Sequence, residues 1–345
     1  MPSRPRLTPA IADVRRAVRT AFAPLGAGDA RLLLVALSGG ADSLALASAT
    51  AFEAPRAGFR AGAVVVDHGL QDGSADVARR ARDEAEALGL DPVLVVRVTV
   101  DGPGGPEAAA RDARYRALRE AAEATGAVRV LLGHTRDDQA ETVLLGLARG
   151  SGPDSLAGMR TDSPPWLRPL LDIPRSATEA CCADLGLEPW TDPHNADERY
   201  RRVRVRRRVL PVLERELGPG VAEALARTAE QLREDAAALD ALADEWVIEI
   251  AEHAEAGIAL PVAALEANPP ALRQRVIRLA VENEFGVTPS RAQTLAVARL
   301  VSDWHGQGAV FLPGITVERR EGRLCFSAAP GPHHEPGGTP PDDPR

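Results

Sequence analysis

The string Ser38-Gly39-Gly40-Ala41-Asp42-Ser43 follows an apolar run and precedes an Ala/Leu-rich stretch. Two adjacent glycines let a backbone turn tightly and approach a ligand. A helix starting there turns unpaired N–H groups and a positive dipole end toward an anion, which is the chemistry of a phosphate cradle. The string lacks the GKS/T ending of a Walker loop, and no lysine occurs anywhere in the chain, so Asp42 and the two serines must serve in another way. A second segment, Gly133-His134-Thr135-Arg136-Asp137-Asp138-Gln139-Ala140-Glu141-Thr142, sets Asp137 and Glu141, and His134 and Asp138, four residues apart. On a helix these pairs occupy adjoining faces at its start, where the dipole stabilises acids. Capping uses one acid, and this segment has three together with a histidine. Arg111, Arg114 and Tyr115 fall at i, i+3 and i+4 on one helical face, and guanidinium groups fork onto phosphate oxygens. Six arginines in positions 201–208, with Arg202 and Arg206 four apart, form either a solvated face or an electrostatic landing site.

Strands must deliver these residues. Leu32–Leu37, Ala63–Val66, Val93–Val98 and Val128–Leu132 read as buried strands separated by Ala/Arg/Glu-rich helical segments. This predicts an α/β fold with a parallel sheet, whose ligands sit beyond the carboxyl ends of the strands. Asp101–Pro106, rich in Gly and Pro, reads as a loop, and 153–174 as Pro-rich and irregular. Val221 to about Ala254 reads as one long helix or a broken pair, and 260–304 as two or three further helices. Ala309–Phe326 alternates around Glu321-Gly322 as a hairpin would. From Ala328 the chain is too polar to pack, and His333 and His334 read there as tail composition. The expected domains are 1–216, a smaller, mainly helical 217–327 closing in a β-hairpin, and a disordered tail over 328–345.

Composition bounds the function. The 345 residues suffice for two domains, and with aromatics at 3% the core must rest on Ala, Leu and Val. A formal charge of -8 argues against coating nucleic acid or membrane with the whole surface. Cys181, Cys182 and Cys325 form no CxxC pair and leave one over from any disulfide, which fits a reducing cytoplasm and no structural zinc. The longest apolar run, Leu32–Leu37, is too short to span a bilayer, and Ile11–Phe22 reads as an opening helix.

The SGGxDS string resembles the PP-loop of ATP-pyrophosphatases, which cleave ATP between its α and β phosphates. Its neighbours narrow the resemblance. Asp67-His68-Gly69-Leu70, Ala110-Arg111-x-x-Arg114-Tyr115, the His134 segment, Arg149-Gly150-Ser151-Gly152 with Gly158-Met159, and Asp192-x-x-Asn195 followed by Tyr200-x-Arg202-x-x-x-Arg206 and Pro211 are together similar to the tRNA(Ile)-lysidine synthase family, in its short type. Val203 departs from the pattern, standing where the family usually has Asn. The resemblance is strong from residue 31 to about 215 and weaker beyond.

That resemblance implies an ATP-binding catalytic domain followed by a tRNA-binding one. It implies a ligase using ATP and Mg2+ to adenylate the wobble cytidine, C34, of tRNA(Ile) with a CAU anticodon, and then to join free L-lysine to C2 of that base. Ser38, Gly39, Gly40 and Ser43 would hold the departing pyrophosphate, with Asp67, His68 and Gly133 completing the nucleotide site. Asp42 and Asp138 would organise magnesium, while His134, Asp137, Asp138 and Glu141 would serve catalysis, the acids holding lysine or metal. Arg111, Arg114, Tyr115, Asn195, Arg202 and Arg206 would face nucleotide or tRNA. No membrane partner is expected, and a homodimer is an allowed assembly. A tRNA thiolase of the same superfamily would need paired cysteines that this chain lacks. A small-molecule ligase of amidotransferase type would leave the second domain and the Arg block unexplained, and a silent RNA-binding protein would not require the loop and acids.

Overall fold

Thr8 accepts a hydrogen bond from the Ile11 N–H and Pro9 opens the first helix, α1 (Pro9–Phe22), which buries Ile11, Val14, Val18 and Phe22 at helical spacing. The apolar runs then form β1 (Leu32–Ala36), β2 (Arg60–Asp67), β3 (Val93–Arg97) and β4 (Arg129–Leu131). Between and after them lie α2 (Ala41–Glu53), α3 (Ser74–Ala87), α4 (Pro106–Thr125) and α5 (Arg136–Ala148). The computed structural model describes residues 7–26, 29–69, 73–100, 106–150, 152–192, 196–254 and 257–329. Leu70, residues 101–105, Ser151, Asn195 and the tail with His333 and His334 lie outside the described residues.

β1 pairs in parallel with β2 and β4, and β2 with β3, so β1 is central and Leu33, Leu34 and Val35 are fully buried. After a short α6 (Pro153–Leu156), the Pro-rich stretch adds β5 (Asp162–Ser163) and β6 (Trp166–Leu167). The sheet order is β3-β2-β1-β4-β6-β5, with β6 parallel to β4 and β5 antiparallel to β6. Strands of two residues carry no periodicity, which is why the sequence reads as irregular there. Next come α7 (Arg175–Leu185), α8 (Arg201–Arg204), a π-helical turn over Val205–Val209, α9 (Leu210–Leu217) and α10 (Val221–Ile250).

The chain divides into two compact units, Met1–Arg233 and Glu234–Arg345, and the division falls within α10. In the second unit, β7 (Glu252–Ala254) and β8 (Gly257–Pro261) precede α11 (Val262–Glu266), α12 (Pro270–Phe285) and α13 (Arg291–Ser302). β9 (Val310–Leu312), β10 (Ile315–Arg320) and β11 (Arg323–Ala328) follow. The expected hairpin is β10 and β11, and both turn residues are left-handed, Glu321 at φ 49° and Gly322 at 75°. It is the middle of a five-stranded antiparallel sheet in the order β7-β8-β11-β10-β9. The helices cover that sheet over a core including Val276, Ile277, Val297, Val317 and Phe326. Among the described residues no helix is long and apolar enough to cross a membrane.

Candidate active site

At the carboxyl end of β1 the chain turns through Gly39, at φ +80°, into α2, whose N-cap is Gly40. The Ser43 hydroxyl accepts from the Ser38 N–H at 3.2 Å, lies 3.1 Å from Ser38 Oγ and donates to the Gly40 carbonyl at 2.9 Å. From the segment after α7, the Trp190 N–H donates to the Gly39 carbonyl at 2.9 Å. The loop is therefore braced in the shape that presents the α2 N-terminus. A cavity of about 740 Å3 opens beside it, beyond the ends of β1, β2 and β4, large enough for a nucleotide.

Gly133, just past β4, backs this loop. A Cβ there would lie 3.1 Å from the carbonyl carbon and oxygen of Asp42 and from the Ser43 nitrogen. Backbone must shift by a few tenths of an ångström to admit it. Gly133→Ala is expected to keep the fold and lower the turnover of any reaction at this loop about tenfold, read from steady-state kinetics beside a thermal melt.

α5 begins with Thr135 as its N-cap. Both the backbone N–H and the hydroxyl of Thr135 donate to Asp138 Oδ2, at 2.8 and 3.0 Å. Capping thus explains one oxygen of Asp138. The other, Oδ1, lies 3.0 Å from Arg175 and 3.2 Å from Arg206. One turn on, the Glu141 side chain has 0% exposure, and its oxygens accept from Arg206 Nε at 2.6 Å and Arg202 Nε at 2.8 Å. Asp42 in turn accepts from Thr178 Oγ1 and, at 3.5 Å, from Arg175 Nε. Three carboxylates, those of Asp42, Asp138 and Glu141, are met by three guanidinium groups, those of Arg175, Arg202 and Arg206. Against its burial, Arg175, Arg202 and the Thr135 N–H hold the Asp138 carboxyl below the usual range, whereas burial raises that of Asp42. Among the described residues no three His, Cys, Asp or Glu side chains converge to hold a metal.

His134 and His68 line the cavity, each with its Nδ1 buried and without a hydrogen-bond partner among the described residues. Burial pushes His134 down to about 3, with Arg114, Arg168 and Arg202 adding to the effect against the pull of Asp138. His68 is lowered too, by burial and by Arg114. Both rings are neutral near pH 7. Arg114 also lines the cavity, and its Nε is buried and has no hydrogen-bond partner among the described residues. These orphaned atoms fit a site made to receive a polar ligand.

The cavity brings together Ser38, Gly40, Asp42, Ser43, Asp67, His68, Gly133, His134, Asp138, Arg111, Arg114, Arg202 and Arg206 from among the expected residues. Gly39 sits in the loop behind them, and Asn195 lies outside the described residues. Asp67 is buried and accepts from the Gly69 N–H at 3.0 Å. Tyr115 does not line the cavity. Its ring meets Trp166 edge-on at 4.9 Å, with the Arg111 and Arg114 guanidinium groups over it at 4.9 and 5.6 Å. Asp137 and Glu141 do not line it either, since Asp137 accepts the Arg175 backbone N–H at 2.8 Å and Glu141 is sealed by its arginines.

The Arg block is divided in its tasks. Arg202 and Arg206 turn inward to Glu141, Arg204 and Arg207 donate to carbonyls of residues 196–199, and Arg208 pairs with Glu198. The π turn over Val205–Val209 follows Arg202 and contains Arg206, a distortion common at functional sites. Val203 is buried, a position an apolar side chain suits. Sequence reasoning missed Arg175, Thr178 and Trp190, which sit in or after a stretch without periodicity. Cys181 and Cys182 are buried, and burial pushes their thiols up to about 11 and about 12, which leaves them unreactive.

Residues 12–213 match the family described as PP-loop domain, and residues 260–325 that described as TilS substrate binding domain. The tRNA(Ile)-lysidine synthase of Leifsonia xyli subsp. xyli is 66% identical over 304 residues, covering 88% of this chain and 91% of that one. The tRNA(Ile)-lysidine synthase of Salinispora tropica is 54% identical over 329 residues, covering 92% and 96%. Among solved structures, the U34-tRNA thiolase NcsA from Methanococcus maripaludis with its [4Fe-4S] cluster aligns with a TM-score of 0.56 at 21% identity. It covers 65% of this chain and 80% of that chain, a likeness of fold alone.

Proposed function

Because the chain belongs to the tRNA(Ile)-lysidine synthase family of PP-loop ligases, we propose that it joins L-lysine to C2 of the wobble cytidine of tRNA(Ile) bearing a CAU anticodon, at the expense of ATP. The observation that carries this reading is that residues of the braced Ser38–Ser43 loop line one cavity together with neutral His134 and the carboxylate of Asp138.

In the first step the cytidine C2 oxygen attacks the α-phosphate, forming a P–O bond as the bond to pyrophosphate breaks. Loop N–H groups at the α2 N-terminus stabilise the departing charge, with Ser38 and Ser43 shaping that backbone. In the second step the lysine amine bonds to C2, AMP leaves with the former C2 oxygen, and the amine sheds a proton. Adenylation supplies the leaving group that the base lacked. The protein contributes positioning and charge.

Asp138, the α5 acid that lines the cavity, is the proposed partner for the cationic substrate, and Glu141 acts behind it through Arg202 and Arg206. Neutral His134 offers a hydrogen bond without a charge. Arg111 and Arg114 are proposed for phosphate, by forked contacts. Asp42 and Asp138 are the carboxylates proposed to hold the magnesium that accompanies the nucleotide, which would supply neutralisation of phosphate charge. A base in an unpaired anticodon loop is accessible without opening a duplex.

The test incubates the full chain with MgATP, radiolabelled L-lysine and a CAU-bearing tRNA(Ile) transcript, with a C34→U transcript as control. Label in the tRNA is expected only with ATP and C34. ATP cleaved to AMP and pyrophosphate without label in the tRNA would overturn the assignment of lysine while keeping the PP-loop chemistry.

A further inference from the structure

We propose that Arg175 is a positioning residue for this reaction, joining Asp42 of the nucleotide loop to the acidic start of α5; the inference rests on the ATP-dependent reading above. Each of its three guanidinium nitrogens meets a different carboxylate. Nε lies 3.5 Å from Asp42 Oδ2, Nη2 3.0 Å from Asp138 Oδ1 and Nη1 3.6 Å from Glu141 Oε1. Its backbone N–H binds a fourth acid, Asp137, at 2.8 Å. One turn along α7, the buried Thr178 hydroxyl donates to the other oxygen of Asp42. Both oxygens of Asp42 are thus held from the first turn of α7.

The loop backbone that would cradle phosphate is braced separately, by Ser43 and by the Trp190 N–H. Arg175 therefore sets where the Asp42 carboxylate points without setting the shape of the cradle. Its own surface lines the cavity, so the link between loop and α5 lies beside the reacting atoms rather than in the core. A planar fork can span three acceptors at once, whereas an ammonium is a point charge. Misplacing a reacting group by an ångström costs turnover more than ground-state binding.

The experiment compares the full-length wild type with Arg175→Ala, Arg175→Lys and Thr178→Val in tRNA-dependent ATP–pyrophosphate exchange without lysine, alongside thermal melts. For Arg175→Ala the exchange kcat is expected to fall about 100-fold while the KM for ATP stays within about threefold. Arg175→Lys should recover less than about tenfold of that loss, and Thr178→Val should lose about tenfold with its melt unchanged. Added ethylguanidinium should restore Arg175→Ala saturably, a response that a purely structural role would not give. Should Arg175→Ala fail to fold, the two milder variants carry the comparison. Folded Arg175→Lys and Thr178→Val at wild-type kcat would overturn the role of Arg175 and leave the reaction standing. A wild type that exchanges no pyrophosphate overturns both.

Discussion

Glu141→Gln is expected to remove about 3–5 kcal/mol of stability, the cost of breaking a buried ion pair from one side. The side chain is fully enclosed, and its two oxygens take the Nε groups of Arg206 and Arg202. Glutamine keeps the shape but supplies one neutral acceptor where three guanidinium groups, those of Arg175, Arg202 and Arg206, had an anion. Among carboxylates Arg202 and Arg206 are then left with Asp138, which already carries Arg175 and the Thr135 cap, while Arg202 keeps its bonds to the Asp138 carbonyl and the Thr142 hydroxyl. Urea unfolding followed by circular dichroism reads the loss directly. The protein that remains folded should turn over slowly, because the two arginines also line the cavity and would shift. Its KM for lysine should stay within about threefold, since Glu141 itself presents no surface to that cavity. A variant of undiminished stability with a strongly raised lysine KM would move Glu141 from the supporting layer to the substrate.

How far the sequence discloses this arrangement depends on the length of the signal. The SGGxDS string and the His134 segment each sit directly after an apolar run long enough to read as a strand, so their place at the sheet's carboxyl edge was legible. β5 and β6, at two residues each, were not. Charge gave the number of arginines near 201–208 but not their direction. By charge alone Arg202 and Arg206 look the same as Arg204 and Arg207; the family pattern singles out the first pair, and packing against α5 turns it to Glu141 while the other pair holds the 196–199 carbonyls. Arg175 was invisible for a related reason. It is an arginine among many, and its partners Asp42, Asp138 and Glu141 come together only when α2, α5 and α7 pack at one edge of the sheet. Asp138 shows both readings at once, a cap through one oxygen and an ion-pair centre through the other.

Acidification from pH 7 to 4 is expected to destabilise the protein through its cavity histidines. An unfolded histidine takes up its proton near pH 6.5, whereas His134 in the folded chain does so only at about 3. Between those values the unfolded state binds the extra proton, so the contribution is complete above pH 6.5 and is lost as pH falls toward 3. The slope is at most about 1.4 kcal/mol per pH unit for each such group. His68 is shifted in the same direction and adds to the loss. Asp138, lowered from 3.8, contributes the same sign only at more acid pH, and Asp42, raised by burial, opposes it by gaining as it protonates. Within the window from 6.5 to 4 the two imidazoles supply this loss, and Asp42 works against it. Urea midpoints at pH 7, 6 and 5 should fall steadily for the wild type and more shallowly for His134→Gln, which keeps a polar side chain but has no proton to gain. Equal slopes for the two proteins would mean that His134 is already solvated in the fold. Its neutrality at pH 7 would then owe nothing to the burial that lets it offer the substrate a hydrogen bond free of charge.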